Sequence, residues 1–250
     1  MSKKIILLRH GESTWNLKNK FTGWTDVGLT ENGKREAQNA GLLLTNNNIE
    51  FDLVYVSYLK RAIKTLEICL KQINNPHGET ISHWRLNERH YGNLQGLNKS
   101  ETARKYGDEQ VLIWRRSYDI PPPKMDHNDK RHPKYDILYK NINPNKLPSS
   151  ESLKDTLERV RPLWINKILP QIKKGQNIMI VAHGNSLRAI VKILKRISDK
   201  DIININIPTG IPYIFELNDN FDYMKDYYLG NQKEILKKIE NVSKQGQSKN

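Results

Sequence analysis

Cysteine is almost missing from this 250-residue chain, with Cys69 the only one. That excludes an intrachain disulfide and a cysteine-rich zinc site, and an intracellular, cytoplasmic protein is expected. Cys69 itself stands among Ile63, Leu66, Ile68 and Leu70 at helical spacing, so it reads as core filling and not as a nucleophile. Long apolar runs are absent as well. The stretch 5–8 is shorter than the apolar region of a secretion signal, and no run approaches membrane-spanning length, so no membrane partner is expected. The glycine-rich loop ending in Lys-Ser/Thr that cradles nucleotides does not occur, and no tight Asp/Glu/His cluster has metal-ligand spacing. Neither a nucleotide nor a metal is therefore expected at the site. Internal repeats and a convincing interior linker are also lacking, which leaves a single domain as the expectation.

Acidic residues are the scarcer charge. Lys and Arg number 41 against 27 Asp and Glu, a formal net charge of +14, and that balance favours anionic partners: nucleic acid, acidic membrane or phosphorylated metabolites. The basic residues are dispersed, in short pairs such as Lys3-Lys4, Arg115-Arg116, Lys173-Lys174 and Lys237-Lys238. Dispersal argues against a nucleic-acid stripe.

Against these absences stand two His-Gly pairs, Arg9-His10-Gly11-Glu12 and His183-Gly184. Each follows a short apolar run, 5–8 and 178–181, that reads as a buried strand. In an open α/β sheet the C-terminal strand ends line one crevice, so distant residues converge there. A further strand at 52–57 leads into a helix from near Leu59, with Arg61 in its first turn. Unpaired N–H groups and the positive helix end favour bound phosphate at such a junction. An extended stretch at 80–86 ends in Asn87-Glu88-Arg89-His90-Tyr91-Gly92. Two imidazoles beside arginines suggest phosphoryl chemistry, where catalysis is mostly positioning and charge stabilisation. His10 is the candidate nucleophile; Arg9 and Arg61 disfavour its protonated form, while a bound phosphate favours it. His183 is a candidate donor to the transferred oxygens and Glu88 a candidate proton carrier. Taken singly, each has a plainer reading: a polar strand end, or for Glu88 a salt bridge to Arg89.

Elsewhere, 21–29 reads as a functional loop rich in Gly and Thr, and Thr30 as the cap of a helix over 32–44. Residues 118–150 carry Pro121, Pro122, Pro123, Pro133, Pro144 and Pro148 among many charges, and read as a long, lid-like insertion over the sheet. Ser152 and Asp155 have the capping-box spacing for an amphipathic helix that Pro162 kinks. Leu187, Ile190, Val191, Leu194 and Ile197 mark a helix after His183. A last strand is expected at 212–217, and about 231–250 reads as a flexible, Lys-rich tail. His77, His83, His127 and His132 lack a supporting pattern, and His90 receives no role.

Several ordered blocks carry more than these local readings. They are Leu8-Arg9-His10-Gly11-Glu12-Ser13-Thr14-Trp15-Asn16, Phe21-Thr22-Gly23-Trp24, Leu86-Asn87-Glu88-Arg89-His90-Tyr91-Gly92, Trp114-Arg115-Arg116 and Ala182-His183-Gly184-Asn185-Ser186. Together they resemble the cofactor-dependent phosphoglycerate mutases of the histidine phosphatase superfamily, from Ile5 to about Gly230. The resemblance implies a three-layer α/β fold, with a mostly parallel sheet and helices on both faces. It implies that His10 becomes phosphorylated, that Arg9, Arg61 and His183 hold the phosphoryl oxygens, and that Glu88 is the acid/base. Ser13, Asn16, Thr22, Gly23, Arg89 and Tyr91 are then implied around phosphate and carboxylate, as are Lys99, Arg115, Arg116, Gly184 and Asn185. It further implies priming by 2,3-bisphosphoglycerate without a metal, a small phosphorylated substrate, interconversion of 3-phosphoglycerate and 2-phosphoglycerate, and a homo-oligomer, dimer or tetramer. A bisphosphoglycerate synthase or a phosphatase would keep the same histidines and change the acceptor. By resemblance, Ser13 and Gly23 favour the mutase, and the long insertion disfavours the minimal phosphatases. A non-catalytic basic protein binding anions or nucleic acid is the third class.

Overall fold

The short apolar runs pair into one six-stranded sheet in the computed structural model, which describes residues 3–73 and 78–244. The strands are β1 (Lys3–Arg9), β2 (Leu53–Val56), β3 (Thr80–Ser82), β4 (Ile178–Ala182), β5 (Pro212–Leu217) and β6 (Tyr223–Tyr228), in the order β3-β2-β4-β1-β5-β6. The pairs β3/β2, β2/β4 and β4/β1 are parallel, whereas β1/β5 and β5/β6 are antiparallel. Helices follow in chain order as α1 (Thr14–Leu17), α2 (Glu31–Asn46), α3 (Lys60–Leu70), α4 (Lys99–Tyr106), α5 (Asp108–Arg116), α6 (Leu153–Leu163), α7 (Leu169–Lys173), α8 (Gly184–Lys195) and α9 (Gln232–Lys244).

Central strands are apolar on both faces because both are covered. Ile5, Leu7, Ile178 and Ile180 point to one side and pack with Leu157, Val160, Leu187 and Ile190 of α6 and α8. Ile6, Leu8, Met179 and Val181 point to the other, against Ala40, Leu44, Ala62 and Leu66 of α2 and α3. The alternation along each strand separates two cores, and the expected three-layer α/β arrangement is the one observed. Cys69 sits in the second core, fully buried, and burial pushes its thiol up to about 12. Among the described residues no helix is long and apolar enough to cross a membrane.

Local signals act as expected at several ends. Thr30 accepts from the Gly33 N–H at 3.0 Å, and Ser152 and Asp155 form a reciprocal capping box at α6. Pro162 lies inside α6, which runs through a π turn, Trp164–Ile168, into α7. A proline has no N–H to give its preceding turn, and the wider turn absorbs the break.

Two expectations are corrected. The extended stretch at 80–86 is a strand only over Thr80–Ser82, because the His83 side chain accepts from Arg85 N–H and starts a 3-10 turn, Trp84–Leu86. Glu88 is thus delivered by that turn and not by a strand end. A strand beyond 212–217 exists: β6 is an edge strand whose Lys225 and Asp226 gave it the look of a polar tail. The stretch read as a tail contains α9, in which Ile235, Ile239 and Val242 recur at i, i+4 and i+7 as its less exposed side chains; residues 245–250 lie outside those described, as does His77. The 118–150 insertion packs on Trp24 of the 21–29 loop and Trp84 of the 3-10 turn. Tyr139 and Leu147 are buried against Trp24 and Trp84, and Pro123 O accepts the Asn93 N–H at 2.9 Å.

Candidate active site

Register places the two His-Gly pairs side by side. Arg9 pairs with Ala182 across β1 and β4, so the next residues, His10 and His183, lie adjacent with ring centroids 4.9 Å apart. The backbone closes tightly at the turn after β1: a Cβ on Gly11 would lie 2.2 Å from Gly33 O. His10 Nδ1 is 2.7 Å from Gly11 O. A carbonyl only accepts, so Nδ1 carries the hydrogen and Nε2 keeps its lone pair. Arg61 Nε lies 3.3 Å from that Nε2.

Arg61 is itself locked. Its guanidinium donates to Thr25 O at 3.0 Å and Gly23 O at 2.8 Å, joining α3 to the 21–29 loop. Gly23 has φ +53, and a Cβ there would strike Gln95 Oε1, the oxygen that takes the Trp24 N–H at 2.8 Å. Only glycine fits that turn. Arg9 donates to Ile207 O at 2.7 Å, while its buried Nε has no partner. Burial, then Arg61, then Arg9 hold His10 well below the ordinary imidazole range, against the hydrogen bond to Gly11. These causes favour the neutral imidazole, with its lone pair on Nε2.

Opposite stands Glu88. Its Oε1 accepts the N–H groups of Arg89 at 2.8 Å and Asn185 at 3.0 Å, so the N-terminus of α8 orients the carboxylate. The loop beneath it is pinned by a buried ion pair, Arg159 with Glu151 at 2.5 Å. Arg159 also donates to the carbonyls of Arg85, Asn87 and Glu88, and Glu151 takes the His90 N–H at 2.9 Å. Trp24 Nε1 donates to Glu88 O as well. Glu151→Ala should cost about 3–5 kcal/mol of stability, because it strands a buried guanidinium. Urea denaturation reads this; a loss below about 1 kcal/mol would contradict the role assigned to the pair.

The cavity in front of His10 is lined by cations and amides. Arg9, His10, Arg61 and Glu88 reach it, as do Asn16, Thr22, Gly23 and Tyr91. Lys99, Arg115, Arg116, Gly184 and Asn185 complete the expected residues on its wall. Lys99 is buried, and burial with Arg115 and Arg9 lowers its ammonium to about 7. Arg115 falls to about 10, first from burial and then from Arg116. This crowding of positive groups is relieved by a bound polyanion. Among the described residues no group of three or more His, Cys, Asp or Glu could hold a metal ion.

Three expected residues stand behind that wall. Ser13 is buried and caps α1, accepting from Asn16 N–H at 3.1 Å, so it aims Asn16. Arg89 is buried under Tyr91, donating to its hydroxyl and to Arg115 O. His183 sits beside His10, with Nε2 2.8 Å from Ser57 Oγ. Conversely, the wall includes residues that motif reading missed: Lys20, Arg188, Asn206 and Val242. Arg188 had a signal, being one helical turn beyond Gly184 and Asn185; its Nη1 donates to Asn185 Oδ1 at 3.0 Å, and the Asn185 amide N–H₂ faces the Tyr91 hydroxyl at 3.4 Å. Val242 had none, since α9 reaches the mouth from the far end of the chain, where Val242 O takes Arg116 Nη2 at 3.1 Å.

Comparison with known proteins agrees with this geometry. The model of the histidine phosphatase superfamily (branch 1) matches residues 5–131 and 125–228. A 2,3-bisphosphoglycerate-dependent phosphoglycerate mutase 2 of Bacteroides thetaiotaomicron is 54% identical over 247 residues, covering 99% of this chain and 100% of that protein. A 2,3-bisphosphoglycerate-dependent phosphoglycerate mutase of Elusimicrobium minutum is 53% identical over the same length and with the same coverage. Among solved structures, a mycobacterial hydrolase superposes with TM-score 0.71 at 19% identity, covering 92% of this chain and 100% of its own. A mycobacterial glucosyl-3-phosphoglycerate phosphatase gives TM-score 0.67, also at 19% identity, covering 91% and 97%. At such identities the two structures speak for the fold alone.

Proposed function

This chain belongs to the histidine phosphatase superfamily, and from that premise we propose that it interconverts 3-phosphoglycerate and 2-phosphoglycerate through a phosphoryl group carried on His10. The observation that carries the reading is the lone pair of His10 Nε2 among buried arginines, with the Glu88 carboxylate across the same cavity. Full-length relatives above half identity, each a 2,3-bisphosphoglycerate-dependent phosphoglycerate mutase, support the substrate and the primer.

The residues fit that primer. A bisphosphoglycerate has three acidic groups, and the wall offers Arg9, Arg61, Lys99, Arg115 and Arg116 with unpartnered buried Nε atoms on Arg9 and Arg188. When bound, 2,3-bisphosphoglycerate supplies the phosphoryl group that primes His10. His10 Nε2 forms the N–P bond as the P–O bond to the substrate breaks, and its Nδ1–H stays on Gly11 O. Arg9 and Arg61 balance the charge on the equatorial oxygens. Glu88 acts as the carboxylic acid when it gives its proton to the leaving oxygen, and the carboxylate so formed takes one back from the hydroxyl that attacks in the return step. Lys99, Arg115, Arg116 and Asn185 hold the carboxylate and the second phosphate, and α9 closes the mouth against water.

The proposal extends to a cytoplasmic enzyme that assembles as a homo-oligomer and acts on small phosphorylated acids, not on nucleic acid or membranes. The lone buried thiol supports the location, and the exposed apolar side chains Ile137 and Leu138 support self-association. Priming tests the function directly. Protein incubated until its phosphohistidine has hydrolysed should turn over monophosphoglycerate only on addition of 2,3-bisphosphoglycerate. Full rate without primer would overturn the mechanism.

A further inference from the structure

Behind the two histidines, the hydroxyl of Ser57 is a fixed point. It is fully buried at the end of β2. Its Oγ accepts the Leu59 N–H at 3.1 Å and lies 2.9 Å from Asn87 Oδ1 and 2.8 Å from His183 Nε2. Which end of the Asn87 amide is oxygen follows from its neighbours. That atom receives the backbone N–H of Tyr58 at 3.1 Å, which only an oxygen can do, while Nδ2 donates to the Tyr139 hydroxyl at 2.8 Å. Oδ1 has no hydrogen, so the single hydroxyl hydrogen of Ser57 goes to it. Ser57 then has only lone pairs left, and His183 Nε2 must be the N–H donor. A neutral His183 keeps its lone pair on Nδ1, which is buried and unpartnered.

We propose that Asn87 is a positioning residue: through Ser57 it fixes His183 as the Nε2–H tautomer, so that His183 becomes a donor to a phosphoryl oxygen only by taking up a proton at Nδ1 as the anion binds. This rests on the contact with the phosphoryl oxygens that the resemblance implies for His183, whose ring lies 4.9 Å from that of His10. The groups around His183 keep Nδ1 bare until then. Arg61 faces it from α3, His10 and Arg9 from the end of β1, and Arg159 from α6; with burial as the largest cause, they hold the imidazole well below its ordinary range. Glu88, across the cavity, is the carboxylate in the same site. A phosphoryl dianion reverses the local sign, and one proton enters with each anion, from solvent or from the ligand's own acidic form. The site therefore recognises charge and proton together.

The tautomer is read by the imidazole nitrogen-15 spectrum of histidine-labelled protein, with His183→Gln identifying the signals. Sulfate is the probe, because it stays a dianion near neutral pH and brings no proton. Free protein should show Nε2 protonated and Nδ1 bare, and saturating sulfate should protonate both. Asn87→Leu frees the Ser57 hydroxyl to donate to Nε2, so an Nδ1–H population should appear and proton uptake with sulfate should fall. Asn87→Asp keeps the acceptor and should restore the original tautomer. Nδ1–H in the free wild-type protein, no Nδ1 protonation with sulfate, or an unchanged spectrum in Asn87→Leu would each overturn the proposal. Should Asn87→Leu not fold, Ser57→Ala removes the oxygen that accepts the His183 Nε2–H and must likewise lose the Nε2–H preference. None of these signals requires turnover, so a wrong tautomer and a wrong substrate are told apart.

Discussion

His10→Ala should lose at least about 10⁴-fold in mutase turnover and all acid-labile phosphate on the protein, because the nucleophile is removed and the rest of the site has nothing to carry the phosphoryl group. The geometry makes that loss specific. Gly11 O holds the Nδ1 hydrogen and Arg61 stands at Nε2, so the ring presents one reactive lone pair in one orientation. The neighbouring imidazole, His183, is 4.9 Å away and held by Ser57 through Nε2, so its ring does not occupy the place of His10. Thermal melting should move little by comparison, since the arginines keep their carbonyl partners at Ile207, Thr25 and Gly23. Acid-labile phosphate in His10→Ala after incubation with 2,3-bisphosphoglycerate would remove His10 from the role.

How much of the fold could be read in advance depended on periodicity. Runs such as Ile5 to Leu8, buried on both faces, and the helix with Leu187, Ile190 and Val191 announce themselves because one period dominates. β6 and α9 do not. Tyr223–Tyr228 mixes Lys225 and Asp226 into an edge strand, and α9 hides Ile235 and Val242 among lysines. At an edge or a surface only one face is buried, and half the signal is gone. The packing of the insertion is not legible for a related reason: prolines report irregular backbone, not which elements it touches. Tyr139, bonded to Asn87 and tilted against Trp24, fixes its place, and that contact spans residues far apart in the chain.

For the site, the blocks were legible because turns there demand particular residues. Gly11 and Gly23 admit no side chain, and their neighbours His10 and Thr22 are aimed by those turns. What stayed hidden acts through others. Arg159 and Glu151 pin the carbonyls under Glu88, and Ser57 with Asn87 sets the proton on His183. Such residues touch backbone or other side chains, never the cavity, and no local pattern marks a partner that only folding supplies.

The second large effect separates proton transfer from charge. Glu88→Gln keeps an oxygen for the N–H groups of Arg89 and Asn185 and keeps the loop held by Arg159 and Trp24. The amide, though, neither gives nor takes a proton at neutral pH. Mutase turnover should fall roughly 10²–10⁴-fold, the usual span for a lost general acid/base. Loading of His10 should depend on the donor. A phosphoglycerate leaves as an alkoxide that needs a proton, so loading from it should fall by the same factor. A nitrophenyl phosphate leaves as a stable anion, so loading from it should change little. Rapid-quench measurement of protein-bound phosphate with the two donors therefore tests the role of Glu88 on its own. Equal losses with both would mean that the substitution disturbs the anion cradle and that the proton is moved by another group. Retained loading with the aryl donor, beside failed loading with the sugar acid, places the proton on Glu88 and leaves the cations of Arg9 and Arg61 their separate task.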